Sequence, residues 1–232
     1  MAADILTTHV EGWNDNYISG RANRYPYDNV VSFVLRHFGN AKAEERSGIC
    51  MLDLGCGGGN HLKFIKDEGF DAYGVDGSAE AVRLACELIG EPECRKVLVS
   101  YFHNMPFADG FFDCVIDRQS LGHNCATDIP RIIVEIERVL RPGGLYFGHV
   151  FGRETTSFQY GKDLGKGDFS DFTSGNFKRS HLVHAFDEMQ IANFFASFEL
   201  ISLKRLTTTD IINHGDLVVV YEINARKKPE RK

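Results

Sequence analysis

The stretch DLGCGGG, at residues 53–59, decides the fold. A short apolar run over 49–54 predicts a strand, and apolar residues at helical spacing over 61–68 predict a helix, so the chain must turn sharply between them. Glycines at such a turn allow unusual backbone angles and let a ligand approach the backbone N–H groups closely. The stretch therefore predicts a ligand-binding turn in an α/β sheet.

Two features near this turn narrow the choice of ligand. Asn60 stands where the G-x-G-x-x-G turn of nicotinamide and flavin enzymes has its third glycine, and the spacing that fits is G-x-G-x-G preceded by Asp53. Asp76 lies about twenty residues downstream, where a carboxylate can accept hydrogen bonds from both hydroxyls of a ribose. The alternative is that Asp76 caps the helix beginning near Ser78, and the glycine turn favours the ribose interpretation.

Apolar runs alternate with helical stretches from residue 49 onward, as a parallel sheet with crossover helices requires. The predicted strands are 49–54, 72–75, 96–99, 113–116, 145–151, 199–206 and 217–223. The predicted helices are 27–38, 61–68, 78–88, 130–140 and 184–195.

Residues 152–180 break this rhythm, because they are rich in glycine, polar and aromatic residues without a clear period. A long irregular stretch inside a compact domain is usually a functional or a disordered loop, and the aromatic residues argue against simple disorder. We expect a lid over a bound substrate. The alternative is a surface excursion whose aromatic side chains pack permanently on the core.

The composition excludes several classes of function. A chain of 232 residues, 43% hydrophobic and 25% charged, is typical of one soluble domain, and no apolar run approaches the roughly 20 residues of a membrane helix. The six cysteines include no C-x-x-C pair, which favours buried thiols over a metal site or disulfides, and we expect a cytoplasmic protein without a secretory signal. The net charge of −6 gives no general attraction to nucleic acid, and the basic tail over 226–232 is expected to be solvated.

Four motifs follow one another between about residues 49 and 150. The glycine turn is followed by YGVDGS at 73–78, by NMPF at 104–107 with FDCVI at 112–116, and by RVLRPGG at 138–144. In order and spacing they resemble the motifs of the class I S-adenosylmethionine-dependent methyltransferases. Within that family, the chain resembles the enzymes that act on small molecules.

The resemblance implies a doubly wound α/β fold with helices on both faces of a mostly parallel seven-stranded sheet. Its strand order would be 3-2-1-4-5-7-6, with the last strand antiparallel. A single methyltransferase domain over 1–232 would contain an N-terminal cap with an added helix (1–45), a cofactor-binding core (49–151), the lid (152–183), and a C-terminal helix with a strand pair (184–224). The implied cofactor is S-adenosylmethionine, and its product is S-adenosylhomocysteine.

The resemblance also implies which residues hold the cofactor. The glycines would cradle its methionine part and Asp76 its ribose, while a Tyr from the cap often closes over the cofactor. In many members an Asp a few residues before "LPF" binds the amino group of the adenine. This chain lacks that Asp, and Phe102 would stack on the adenine instead. The predicted cofactor residues are Tyr17, Asp53, Gly55, Cys56, Gly57, Gly59, Asp76, Gly77, Ser78, Phe102, His103, Asn104, Asp117 and Arg118. No metal ligand is predicted.

Methyl transfer from a sulfonium is an in-line displacement, which alignment and exclusion of water assist most. A general base is needed only for a hydroxyl or a protonated amine, and His123 and His149 are the candidates because each lies near the carboxyl end of a strand. In the family a His at the place of His123 is commonly a packing residue, which is the alternative. The (N/D)-P-P-(Y/F) tetrapeptide of enzymes that methylate nucleic-acid bases is absent from 117–124.

The expected function is thus methylation of an oxygen or nitrogen of a small molecule, such as a sugar or a natural-product intermediate, with neither nucleic acid nor membrane as partner. Two alternatives stay open: a cofactor-binding regulatory or partner protein without catalysis, and a nicotinamide-dependent oxidoreductase on a similar sheet. Asn60 and the motif over 141–144 disfavour the second. The oligomeric state does not follow from the sequence.

Overall fold

The computed structural model describes residues 12–20, 22–212, 215 and 217–229. The start of the predicted cap (residues 1–11) and the end of the basic tail (230–232) lie outside the described residues. None of the described helices is long and apolar enough to cross a membrane.

Helices and strands alternate through the first two thirds of the chain. The helices are α1 (12–18 among the described residues), α2 (Asp28–Phe38), α3 (Ala43–Arg46), α4 (Asn60–Asp67), α5 (Ala79–Ile89), α6 (Ile129–Val139) and α7 (Glu188–Phe194). The strands are β1 (Cys50–Leu54), β2 (Asp71–Asp76), β3 (Val97–Val99), β4 (Phe112–Arg118), β5 (Leu140–Phe151), β6 (Lys162–Gly165), β7 (Asp168–Ser170), β8 (Leu182–His184), β9 (Phe198–Thr208) and β10 (Val218–Lys227).

Seven of these strands form the main sheet, in the order β3-β2-β1-β4-β5-β10-β9. The first five run parallel, and β10 is antiparallel to both of its neighbours. Counted within this sheet, β9 is the sixth strand and β10 the seventh. The predicted order 3-2-1-4-5-7-6, with the last strand antiparallel, is therefore confirmed.

Helices cover both faces of the sheet, because its central strands are apolar on both sides. On one face Ile132 and Ile136 of α6 pack in a cluster with Leu52 of β1. On the other face Phe33 of α2 and Leu62 of α4 pack in a cluster that also contains residues of β1 and β4. Burial on both faces keeps the sheet rigid, and the carboxyl ends of β1, β2 and β4 meet at one edge.

The segment after β5 is more regular than the sequence predicts. It contains a 3-10 turn (Thr156–Tyr160), and β6, β7 and β8 form a three-stranded antiparallel sheet. Phe158, Phe172 and Phe177 are buried in a cluster of their own with residues of β8 and its neighbourhood. The expectation of an irregular segment over 152–180 is therefore wrong, because aromatic residues that lack a period along the chain still assemble a small core.

Other boundaries also differ from the predictions. The helix predicted at 184–195 begins only at Glu188, because β8 occupies the preceding residues and Asp187 caps the helix by accepting a hydrogen bond from Gln190 N at 2.7 Å. β5 starts at Leu140, directly after α6, and the register shift between Phe112 and Cys114 of β4 accommodates its Pro-Gly stretch. β9 and β10 extend beyond their predicted ends.

Candidate functional site

A cavity of about 270 Å³ lies at the carboxyl ends of β1, β2 and β4. This edge is where ligands bind in open α/β sheets, because helix N-termini and loops surround it. Eleven of the residues predicted for the site line the cavity: Tyr17, Gly55, Cys56, Gly57, Asp76, Gly77, Ser78, Phe102, His103, Arg118 and His123.

The glycine turn forms part of the cavity wall with bare backbone. Gly55 and Gly57 have φ values of +70° and +53°, which favour glycine. A Cβ atom on Gly55 would lie 2.0 Å from Ser120 Oγ, and one on Gly57 would lie 2.6 Å from Tyr17 Oη. Any side chain here would therefore fill the cavity and displace its walls.

Gly59 differs from Gly55 and Gly57 because it packs against a helix instead of lining the cavity. Its φ is +84°, it precedes α4, and a Cβ atom on it would lie 2.9 Å from Ala85 Cα of α5. It does not line the cavity. Its role is close packing between the turn and α5, which is the ordinary role of the last glycine of such a turn.

Asp76 stands at the end of β2 with its carboxylate against the glycine turn. One oxygen accepts a hydrogen bond from Gly57 N at 2.9 Å, and the other accepts one from Ser78 N at 2.9 Å. Burial raises the pKa of Asp76 to about 6. The carboxylate therefore orders both the turn and the start of α5 while it faces the cavity.

Asp53 lies beneath the turn rather than in the cavity wall. Its Oδ1 is 3.3 Å from Nδ1 of His61, and its Oδ2 is buried without a hydrogen-bond partner among the described residues. His61 does line the cavity, and its buried Nε2 also has no hydrogen-bond partner among the described residues. Buried polar atoms that lack partners are unusual and mark candidate ligand contacts.

Helix α1 lies across the cavity and contacts both sides of it. Asn14 Oδ1 accepts hydrogen bonds from Ser78 Oγ at 2.8 Å and from Glu80 N at 3.1 Å. The ring of Trp13 lies edge-on to His123, with 4.8 Å between the centroids. Burial raises the pKa of the Tyr17 hydroxyl, and nearby Asp76 adds to the shift, so this group stays protonated.

His123 lines the cavity in the turn after β4. Its Nδ1 lies 3.0 Å from the carbonyl oxygen of Leu182, so Nδ1 carries the proton and the basic lone pair is on Nε2. Burial lowers its pKa from the usual value for histidine. The imidazole is therefore neutral at physiological pH.

Asp117 and Arg118, at the end of β4, point in different directions. Asp117 is fully buried and accepts hydrogen bonds from Ser120 N at 2.7 Å, from Leu121 N at 3.1 Å and from Tyr146 Oη at 2.9 Å. Burial raises its pKa to about 7. Asp117 orders the loop that follows β4 and does not line the cavity, so the structure does not bring it to the position predicted for a cofactor residue.

Asn104 and His149 are also outside the cavity wall. Asn104 is exposed, one residue beyond His103. His149 lies behind the wall, with Nε2 2.7 Å from Asn29 Nδ2 and 3.2 Å from Glu222 Oε2. Burial, with a contribution from Arg118, lowers the pKa of His149 to about 4. The structure therefore does not bring His149 to the reacting groups as the sequence prediction requires.

Twelve further residues line the cavity without having been predicted for the site: Trp13, Asn23, Tyr27, Gly58, Asn60, His61, Ser100, Tyr101, Gln119, Ser120, Asn124 and Asp128. For Trp13 and Tyr27 the sequence gave one indication, because both are aromatic residues of the predicted N-terminal cap. Gln119 has a φ of +73°, a strained conformation for a residue with a side chain, and such strain is common at functional sites. Within the described part of the chain, no group of three or more His, Cys, Asp or Glu residues is arranged to hold a metal ion.

Comparison with known proteins shows what the central part of the chain is similar to. Residues 52–148 match a family model described as a methyltransferase domain. An uncharacterized methyltransferase of Synechocystis is 32% identical over 96 residues, which are 41% of this chain and 44% of that protein. The human mitochondrial arginine-hydroxylase NDUFAF5 is 30% identical over 129 residues, which are 53% of this chain and 36% of that protein. Each match spans less than half the length of the curated relative.

A similar fold is seen in 1,6-didemethyltoxoflavin-N1-methyltransferase from Burkholderia thailandensis, crystallised with 1,6-didemethyltoxoflavin and S-adenosylhomocysteine. The TM-score is 0.68 at 18% sequence identity, over 98% of this chain and 89% of that one. The likeness concerns the fold. The family model that residues 52–148 match describes a methyltransferase domain, and the solved structure shows the same fold around it.

Proposed function

We propose that this protein transfers the methyl group of S-adenosylmethionine to an oxygen or nitrogen atom of a small-molecule acceptor. The observation that carries the proposal is the meeting of the bare glycine turn with the Asp76 carboxylate in one cavity, 2.9 Å from Gly57 N to the carboxylate oxygen. Bare backbone suits close approach by the methionine part, and the carboxylate suits a ribose.

The residues present fit this cofactor. A carboxylate has about four acceptor positions; Gly57 N and Ser78 N use one on each oxygen and the backbone of Gly77 adds a third contact, so acceptor capacity is left for a ribose hydroxyl. Phe102 lines the cavity next to Gly55 and is the residue we propose to stack on the adenine. The Asp53 carboxylate beneath the turn, whose Oδ2 has no hydrogen-bond partner among the described residues, makes this end of the cavity favourable for the positively charged amino group.

When bound, the cofactor supplies a methyl group on a sulfonium. The protein's own contribution is to align the acceptor and exclude water, for which α1 closes one side of the cavity. His123 accepts a proton on Nε2 when the nucleophile is a hydroxyl or a protonated amine, since its Nδ1 proton is held by Leu182 O.

The acceptor we propose is a small, partly polar molecule, because aromatic residues (Trp13 and Tyr27) and amides (Gln119 and Asn124) share the cavity wall. The net charge of −6 disfavours nucleic acid. A cytoplasmic location is supported by the six cysteines, all of which are free thiols.

Calorimetric titration tests the cofactor. S-adenosylhomocysteine should bind with a micromolar dissociation constant, roughly in the range of enzyme ligands, and NAD far more weakly. Equal affinity for NAD would refute the assignment.

Catalysis is tested separately by incubating the protein with S-adenosylmethionine and a metabolite library and measuring S-adenosylhomocysteine. Acceptor-dependent formation of this product supports an enzyme. Tight cofactor binding without turnover of any acceptor would favour the alternative, a regulatory or partner protein that binds the cofactor without catalysis.

A further inference from the structure

We propose that the methyl acceptor is an aliphatic amine, bound as its ammonium ion by Asp128 and Asn124 beside the ring of Trp13. The inference rests on the proposed function, and it narrows the acceptor from an oxygen or nitrogen atom to the nitrogen of one substrate class.

The loop over 119–128 is the wall of the cavity that the proposed cofactor contacts leave to the acceptor. Asp76 ends β2, the glycine turn follows β1 and this loop follows β4, and the three strands are neighbours in the order β2-β1-β4. Ser120 Oγ lies 3.4 Å from Gly55 O, so the loop also adjoins the turn. A ribose at Asp76 and a methionine part at the turn therefore place the acceptor on the β4 side.

Asp128 brings a carboxylate to this wall. No described Lys, Arg or His nitrogen lies within 4.0 Å of its oxygens. Its Oδ2 accepts a hydrogen bond from Cys125 Sγ at 3.0 Å, and a thiol is a weak donor. Although Asp128 directly precedes α6, its side chain accepts no hydrogen bond from the first turn of that helix. The usual capping role is therefore absent, and the carboxylate is available to a ligand.

The other charges at the cavity do not take this place. Arg118 is the one Arg or Lys among the described residues that line the cavity, and its Cζ lies 4.2 Å from the centroid of the Tyr27 ring. The acids that act on its charge are Asp117 and Asp28. A cationic acceptor would lie next to a sulfonium, and the carboxylate of Asp128 offsets the repulsion between these two positive charges.

The polar groups of the loop favour a ligand that donates hydrogen bonds. Asn124 Nδ2 donates to Ser120 O at 2.9 Å and to Leu121 O at 3.3 Å, so the amide is fixed and its Oδ1 is the atom that can accept. An ammonium ion has three donors and no acceptor, whereas a hydroxyl has one donor and two acceptor lone pairs. A carboxylate and an amide oxygen therefore match an ammonium ion better than a hydroxyl.

Trp13 adds an aromatic surface beside the same loop. It lines the cavity, and its ring centroid lies 4.8 Å from that of His123. Among aromatic side chains, the indole ring of Trp attracts cations most strongly. The combination of an indole ring with a carboxylate is a site for an organic cation.

The bound ammonium ion must lose a proton before it can act as a nucleophile. It gives one N–H proton to His123, the general base of the proposed function. The electron pair left on nitrogen forms the bond to the methyl carbon, while the C–S bond breaks and its electron pair stays on sulfur. The products are an N-methylated ammonium ion, S-adenosylhomocysteine and the proton that His123 releases to solvent.

Pairs of ligands that differ only in an amine or a hydroxyl test the inference: phenethylamine with 2-phenylethanol, tryptamine with tryptophol, and hexylamine with hexanol. Calorimetry at neutral pH on the protein saturated with S-adenosylhomocysteine should show at least one amine binding about 10- to 100-fold more tightly than its alcohol. Asp128→Asn should abolish this preference and keep the affinity for S-adenosylhomocysteine, which also shows that the variant is folded. Trp13→Leu should weaken binding of the amine more than that of the alcohol.

Asp15→Asn is the matched control, because Asp15 is an exposed acid of α1 that does not line the cavity. This variant should keep the preference for the amine. Equal binding of amine and alcohol in every pair, binding of neither, or a preference that survives in Asp128→Asn would overturn the inference while the proposed function stood. If the wild type did not bind S-adenosylhomocysteine, the proposed function itself would fail.

Discussion

The Asp76 carboxylate and the amide of Gly57 are 2.9 Å apart, although 19 residues separate them in the chain. This bond joins the end of β2 to the glycine turn after β1, and it is made by a carboxylate whose pKa burial raises to about 6. One side chain therefore orders the turn and also faces the proposed ribose.

The affinity for S-adenosylhomocysteine should depend on the protonation of Asp76. The ionised carboxylate accepts a hydrogen bond from a ribose hydroxyl, whereas the protonated form loses acceptor strength. Affinity should therefore be constant well above pH 6 and fall as the pH falls through about 6. Calorimetry between pH 5 and 8 measures this. Asp76→Asn should bind about 1.5–3 kcal/mol more weakly at neutral pH and show no such dependence; a variant with wild-type affinity would leave Asp76 as a helix cap.

His123→Gln should lower turnover by about 100-fold or more with a hydroxyl acceptor and leave the affinity for S-adenosylhomocysteine unchanged. Because burial lowers the pKa of His123, the wild-type rate should hold down to below pH 6.5, the usual pKa of histidine, and decline only at lower pH. Rate–pH profiles check this. His37→Gln, on α2 and away from the cavity, is the control. Unchanged turnover in His123→Gln would mean that His123 only packs against Trp13 and the segment after β5.

Gly59→Ala should destabilise the protein, because it adds strain at a φ of +84° and a clash with Ala85 Cα. We expect a loss of about 2–4 kcal/mol in the free energy of unfolding, measured by urea denaturation. Gly143→Ala supplies the comparison, since Gly143 has a φ of +79° but no atom within 4 Å of the added Cβ. Equal losses in the two variants would show that contact with α5 contributes nothing.

Residues 152–183 remain a predicted lid, although none of them lines the cavity. Their contacts with it are indirect: Leu182 O meets His123 Nδ1 at 3.0 Å, and Asp168 accepts a hydrogen bond from Ala126 N at 3.0 Å. Hydrogen exchange measured by mass spectrometry should slow across this segment when cofactor and acceptor are both bound. Equal protection with and without ligands would mean that the segment is a fixed part of the fold, which is the alternative that its cluster of buried phenylalanines supports.

Much of the core followed from local sequence. The strand–glycine–helix turn at 53–59, the acid at residue 76 and the order of the motifs carry the resemblance to the class I methyltransferases, and that resemblance implied the sheet order that the structure has. These features are local because a turn, a strand period and a helix cap depend on neighbours a few residues away. The structure brings most of the glycine turn and the end of β2, which the sequence predicts to bind the cofactor, to the cavity wall.

The direction of each side chain at the strand ends was decided by the tertiary structure. Asp117 and Arg118 are adjacent in the sequence, yet alternation along β4 buries the first beneath the loop and leaves the second at the cavity. Arg118 is paired with His149 across β4 and β5, so both lie on one face, and Asn29 of α2 then covers the histidine.

The sequence by itself determined the class of fold and the cofactor turn. Only the packing of the cap and of α2 decided that Trp13 and Tyr27 form cavity walls and that His149 lies behind them. The physical reason is that these are contacts between distant segments: periodicity fixes which residues share a face of a strand or helix, but the groups that meet that face are set by the assembled layers.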